Sequence, residues 1–241
     1  MSFLEIKALS KSFGGLMALF NLDFEVAEKE IVTVVGPNGS GKSTLLRTIV
    51  NLSHPRKING GDGGIFYQGN RIDGLSPEET VKQGIAIVPE GARIFQEMSV
   101  LDNLKMGSYF KKAREVRKKT LAEVYHLFPR LEERQSQKAK TLSGGERKML
   151  ALGMALMSKP DLLLLDEPCL GLQPNFVVRT FQAIQEINRR EVTILFVEQN
   201  VSYSLEISHR AYVLENGRMV LEGRGRELLN NPHVKKVYLA L

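Results

Sequence analysis

Gly36-Pro37-Asn38-Gly39-Ser40-Gly41-Lys42-Ser43-Thr44 is the stretch that decides the reading of this chain. Its first eight residues match G-x-x-x-x-G-K-S, a phosphate-binding loop, whose small residues let backbone N–H groups close around phosphate oxygens. Lys42 would supply charge to the β- and γ-phosphates, and the Ser43 hydroxyl would reach Mg²⁺. The pattern carries weight only between a strand and a helix, and that context is present. Ile31–Val35 is a short β-branched run, and Lys42–Leu52 reads as a helix whose N-terminus adds its positive end. Asn38-Gly39-Ser40 also fits a glycosylation acceptor, which is a false match inside such a loop.

Outward from the loop, Glu25–Val26, Ile65–Tyr67 and Ile85–Val88 read as strands, with Gly60–Gly64 as a loop around Asp62. Ser76-Pro77-Glu78-Glu79 stacks three helix-start signals: a capping Ser, Pro at the first position and a Glu reaching back. From about Val100 to Met157 the chain turns helical and charged. Leu162–Leu165 and Thr193–Val197 are continuous apolar runs of strand length, separated by a helical pattern around Phe176–Ile187. Such strands, alternating with helices, belong to a parallel sheet covered on both faces. Tyr212–Leu214 and Met219–Leu221 flank Asn216-Gly217, a strong hairpin signal. The expected architecture is α/β, with a mainly parallel sheet, an antiparallel component and a helical insertion.

Leu162-Leu163-Leu164-Leu165-Asp166-Glu167 complements the loop. A buried strand ending in two acids aims carboxylates into the crevice at the sheet's carboxyl edge. Asp166 would hold Mg²⁺, and Glu167 would orient or deprotonate the attacking water. Leu142-Ser143-Gly144-Gly145-Glu146 opens a helix. It reads either as a plain cap or as a second anion site made of the Ser143 hydroxyl, the glycine amides and the helix end.

The chain has 241 residues, 43% of them hydrophobic, which suits one cored domain with an inserted subdomain and excludes a disordered or fibrous protein. Its longest uncharged apolar stretch, Met149–Ser158, is too short to span a bilayer, and Met1–Phe13 carries Glu5, Lys7 and Lys11 rather than a signal-peptide core. One cysteine excludes a disulfide framework or a cysteine-built zinc site. The four histidines (His54, His126, His209, His233) lack metal-ligand spacing and read as surface or packing residues. The net charge of +6 points to an anionic partner without naming it. Lys111–Lys119 concentrates that charge. It reads as a solvated helix face or as a membrane-surface or nucleic-acid patch, and no aromatic interrupts it to stack on bases.

The phosphate loop, the Leu142–Glu146 turn and the Leu162–Glu167 strand, in this order, resemble the ATP-binding subunits of ATP-binding-cassette (ABC) systems, over essentially the whole chain from Phe3 to Leu241. The resemblance implies a P-loop NTPase that hydrolyses ATP with Mg²⁺. It is one cassette over 1–241, with 1–95 and 159–241 as nucleotide-binding core and β subdomain and about 96–158 as helical subdomain. In that family two subunits sit head to tail, so Ser143, Gly144 and Gly145 would touch ATP held by the partner. Gly36, Pro37, Asn38, Gly39, Ser40, Gly41, Lys42, Ser43 and Thr44 would hold the subunit's own ATP. Phe13 occupies the adenine-stacking position, with core packing as its competing reading.

Three positions depart from the general family pattern. Glu90 stands where Gln is usual, Gln173 where Asp is usual, and Gln199 where a His contacts the γ-phosphate. Glu90 is then a candidate Mg²⁺ ligand and catalytic neighbour, and Gln199 a phosphate hydrogen-bond donor without charge. One reading is a weakly hydrolytic regulatory ATP binder. The other is a subfamily. Val88–Phe95, Leu170–Pro174, Val197–Asn200 and the tail Val213–Gly223 look like an ATPase of branched-chain (hydrophobic) amino-acid uptake, while Gln173 is closer to urea and short-amide importers. Val234–Leu239 also resembles a lipid-export ATPase.

That resemblance implies a peripheral subunit at the cytoplasmic face of the inner membrane. Its partners would be integral permease subunits, a second ATPase copy or paralogue and, indirectly, an extracytoplasmic solute-binding protein, but no nucleic acid. DNA-repair members interrupt the cassette with long coiled coil, and translation-type members carry two cassettes; this chain shows neither. Ile94, Phe95 and Met98, after Glu90, are expected either to line the permease cleft or to pack in the core.

Overall fold

Leu162 and Leu164 point into one hydrophobic cluster, and Leu163 and Leu165 into another on the opposite side of the sheet. Each is fully buried, which stabilises the fold by about 2 kcal/mol per side chain. A strand that must satisfy two faces can alternate no polar residue, which is why this one is continuously apolar. The computed structural model describes residues 2–53 and 63–239.

In chain order the strands are β1 (Leu4–Phe13), β2 (Leu16–Val26), β3 (Ile31–Val35), β4 (Gly64–Tyr67), β5 (Asn70–Arg71), β6 (Ile85–Val88), β7 (Leu162–Asp166), β8 (Thr193–Glu198), β9 (Arg210–Glu215) and β10 (Arg218–Gly223). Six of them form one sheet in the order β10-β9-β3-β8-β7-β6, parallel except for β10. The other four form an antiparallel sheet, β2-β1-β4-β5. One face of the parallel sheet packs with the antiparallel sheet and the helix Lys42–Ile49. The other packs with helices between Val100 and Leu156 and with Pro174–Arg189. The expected α/β organisation is the observed one, including the hairpin at Asn216-Gly217, whose φ values of 48° and 76° suit the tight turn.

Two expectations need correction, and two open alternatives are then resolved. The helix after the phosphate loop stops at Ile49 rather than Leu52. Asn51 turns left-handed (φ 57°), and its side chain donates to the Ile72 carbonyl and Thr80 hydroxyl. The strand at Glu25–Val26 is the end of an eleven-residue β2, paired with a β1 that hydropathy alternation did not reveal, because three register shifts break the period between Ile6 and Ser12. Phe13 is not core: its ring is 51% exposed. Ile94 packs against the core, whereas Phe95 and Met98 are exposed. The Ser76 capping box forms as expected, with the Glu79 N–H donating to Ser76 Oγ and the Ser76 N–H to the Glu79 carboxylate. Residues 60–62 of the Gly60–Gly64 loop and His54 lie outside the described residues.

Candidate nucleotide site

The phosphate loop leaves β3 at the carboxyl edge of the parallel sheet and enters the helix Lys42–Ile49. A Cβ at Gly36 would lie 2.1 Å from the Leu214 carbonyl oxygen, and Gly41 combines φ 108° with backbone 2.7 Å from its missing Cβ. Only glycine fits either place. Lys42 is buried; its Nζ donates to the carbonyls of Gly36 (2.9 Å) and Pro37 (3.1 Å) and lies 3.6 Å from Glu167 Oε1.

Asp166 ends β7 beside the loop. The Ser43 hydroxyl donates to its Oδ1 at 2.6 Å, while Oδ2 is buried with no hydrogen-bond donor, Arg47 standing 4.0 Å away. An orphaned carboxylate oxygen beside a hydroxyl is a donor set that suits Mg²⁺, a cation that takes few protein oxygens and leaves the rest to phosphate and water. Ser40 Oγ is likewise buried without a partner, inside the loop.

Glu167 adopts φ 47°, a left-handed conformation costing about 1–2 kcal/mol for a side chain of this kind. Both of its backbone groups are held. Its N–H donates to the Val197 carbonyl (3.0 Å), and its carbonyl accepts from the buried Lys148 Nζ (3.0 Å). Burial pushes the Glu167 carboxyl above its ordinary pKa, with Glu198 and Glu90 adding to the rise. A hydrogen bond from Gln199 Nε2 (2.5 Å) and the charge of Lys42 oppose it. Lys148 is shifted down, first by desolvation, against the pull of Glu198.

Glu90 lies two residues past β6, whose Val88 pairs in register with Leu165, so it shares the edge where Glu167 sits. It is exposed and reaches Glu167 and Lys148 through charge rather than contact. Phe13, Asn38, Lys42, Ser43, Glu167 and Gly217 line one cleft of about 520 Å³, with Lys11 Nζ 4.7 Å from the Phe13 ring centre. A second cavity of about 520 Å³, floored by Phe128, Leu131, Met149 and Phe176, contains none of the phosphate-loop or acidic residues.

Ser143 caps the helix Gly144–Leu156 through a reciprocal box with Glu146. Ser143 and Gly144 are exposed, while a Cβ at Gly145 would sit 2.3 Å from the Phe176 ring. This turn contributes nothing to the cleft beside Lys42 in the same chain. Residues 19–170, more than half of the chain, match the family model described as ABC transporter.

The chain belongs to the ABC transporter family.

Two relatives of this ABC ATPase match it end to end. It is 45% identical to the high-affinity branched-chain amino acid transport ATP-binding protein BraG of Pseudomonas aeruginosa, covering 98% of this chain and 99% of that one. It is 39% identical to the probable branched-chain amino acid transport ATP-binding protein LivF of Archaeoglobus fulgidus, covering 97% of each. Its fold superposes on the ADP conformation of MJ1267, an ATP-binding cassette of an ABC transporter, with a TM-score of 0.83 and 27% identity over both full chains. As a member of this family the chain is an ATPase that binds nucleotide.

Two residues of the ABC ATPase site escaped sequence reasoning. Glu198 is buried at the end of β8, where it accepts from the N–H groups of Cys169 (2.6 Å), Gln199 (3.0 Å) and Asn200 (3.2 Å). Its signal, an acid closing an apolar strand, was the one that found Asp166. Lys148 had a weaker one: a cation within an otherwise apolar helix face. A further groove of about 230 Å³, lined by Pro89, Phe95, Met106 and Met154, opens beside Glu90's loop. Buried Asn103 clamps the Phe95 backbone there, accepting from its N–H at 2.8 Å and donating to its carbonyl at 2.9 Å, so that the ring stands out to solvent.

Proposed function

We propose that this chain is the ATP-hydrolysing subunit of a membrane importer for branched-chain or other hydrophobic amino acids, acting as a single cassette in which about 96–158 is the helical subdomain. The observation that carries the reading is the convergence of Lys42, Ser43, Asp166 and Glu167 in one cleft, in a chain 45% identical over nearly its full length to BraG. Gly36–Thr44 cradle the ATP phosphates and exposed Phe13 faces the adenine. Ser43 and Asp166 would hold Mg²⁺, with Glu90 from the neighbouring strand's edge as a candidate further ligand, and the ion would neutralise phosphate charge. Glu167 orients and deprotonates the attacking water, and Gln199 steadies Glu167. The subunit works at the cytoplasmic face of the inner membrane with permease subunits and, through them, a solute-binding protein. The test is uptake in vesicles carrying the chain with its permease: ATP-dependent accumulation of leucine, isoleucine or valine supports the reading, and accumulation of urea instead replaces it.

The exposed Ser143-Gly144 turn, remote from its own cleft, fits a head-to-tail dimer in which it closes the partner's site. Ser143→Arg is expected to abolish hydrolysis. Mixed with Lys42→Ala it should restore about a quarter of the parental rate, because half of randomly formed pairs contain one intact composite site. Full activity of Ser143→Arg alone would make the turn a helix cap and nothing more.

The groove at Phe95 and Met106 is the proposed seat of a cytoplasmic permease segment. Phe95→Asp should leave a folded chain that hydrolyses ATP at the parental rate but no longer co-purifies with the permease. Loss of folding would assign Phe95 to packing instead.

A further inference from the structure

Among the described residues most exposed lysines sit beside an acid, as Lys29 with Glu191, Lys82 with Glu78, Lys105 with Asp102, and Lys138 and Lys140 with Glu97. The segment Lys111–Lys119 breaks that habit. Lys111, Lys112, Arg114, Lys118 and Lys119 are all exposed, and none has a carboxylate within ion-pair distance among the described residues. Arg117 is the exception in direction: its guanidinium turns inward and donates to the Ser108 hydroxyl (2.7 Å) and carbonyl (3.3 Å), pinning the segment to the end of the preceding helix. Apolar side chains stand out among the cations. Tyr109 is 65% exposed, and Met106 and Val116 are about 40% exposed. An ordinary solvated face intersperses acids and hides its aromatics; here one exposed acid, Glu115, stands among six cations, so most of their repulsion is unrelieved.

We propose that residues 106–119 form a docking surface for the anionic headgroups of a phospholipid bilayer. Lys and Arg without a carboxylate partner complement a negative membrane surface, each contributing cumulatively to attraction, and Arg114 keeps its charge while donating to the Tyr109 carbonyl (2.8 Å). The exposed Tyr109 belongs at the headgroup level. Position agrees with charge. Met106 and Gly107 line the groove assigned to the permease, so the basic segment continues directly from that groove, an argument resting on the proposed transport role. A nucleic-acid partner is less well served: the Tyr109 ring packs edge-on against Phe110 (5.7 Å, 81°), and no aromatic follows within Lys111–Lys119 to stack on bases.

The test uses the purified full-length chain and needs no permease. It measures co-sedimentation with vesicles of phosphatidylcholine alone or with about 30% phosphatidylglycerol, with duplex DNA in a parallel titration. The expected result is binding to anionic vesicles that weakens with salt, little binding to neutral ones, and a loss of about a hundredfold in the K111E/K112E/K118E/K119E variant. That variant should hydrolyse ATP like the parent, because none of the four touches the nucleotide cleft. Equal binding to neutral vesicles, undiminished binding by the variant, or duplex DNA bound in preference to anionic vesicles would each overturn the proposal. Vesicle binding that persists while Phe95→Asp still co-purifies with the permease would sink the groove assignment alone.

Discussion

Lys42→Ala is expected to remove ATP binding almost completely, by about 3–4 kcal/mol or several hundredfold in affinity. Lys42 is 4% exposed, and among the described residues its ammonium is the one cation within ion-pair distance of the Glu167 carboxylate, at 3.6 Å. The same Nζ bonds the Gly36 and Pro37 carbonyls, so the charge is held at the mouth of the loop before nucleotide arrives. Alanine leaves those carbonyls without this donor and Glu167 without its counter-charge, at a stability cost of about 1–3 kcal/mol. Isothermal titration with ATP, alongside a melting curve showing the variant folded, measures the effect. Unchanged affinity in a folded variant would end the phosphate-loop assignment.

Glu167→Gln should lower turnover by about two to four orders of magnitude while ATP remains bound. Glutamine keeps the shape and can still meet Gln199, but it cannot accept the proton of the attacking water. The native carboxyl is shifted upward by burial, so the parent needs a higher pH than an ordinary glutamate would to reach its ionised, active form. Its hydrolysis rate should therefore rise with pH through that raised value and plateau above it. The variant should lose this rise altogether. A parental rate, or an unchanged acid limb, would reassign the base. The accompanying signature is an ATP-bound dimer stable to gel filtration.

What the sequence disclosed was local. The phosphate loop, the Leu162–Glu167 strand and the Asn216-Gly217 turn each depend on neighbours within a few residues, and each forms where expected. Signals that depend on distant chain were silent or misleading. Lys148 lies 19 residues from Glu167 and Glu198 lies 29 from Cys169, so nothing within either local sequence names its partner. The β1–β2 ribbon hid behind its own irregularity, since each register shift resets the alternation that marks a strand. Sequence places Phe13 at the adenine-stacking position only through the family resemblance, because an aromatic beside a strand commonly packs instead. Phe13 sits at the exposed tip of the β1–β2 ribbon, paired with Leu16 beside the Gly14-Gly15 turn, where no neighbouring element among the described residues covers it.

The tie between Lys148 and the Glu167 carbonyl has a mechanical meaning in a head-to-tail pair. Lys148 and Ser143 lie on one helix, about 6–8 Å apart along its axis, with no hinge between them. One end of that rod holds the backbone of Glu167, the proposed water-activating group of its own subunit, and in the proposed pair the other end would reach the neighbour's nucleotide. In that proposed pair a tilt produced by events at one ATP would arrive at the second as a displacement of its lid, carried by about a turn and a half of helix.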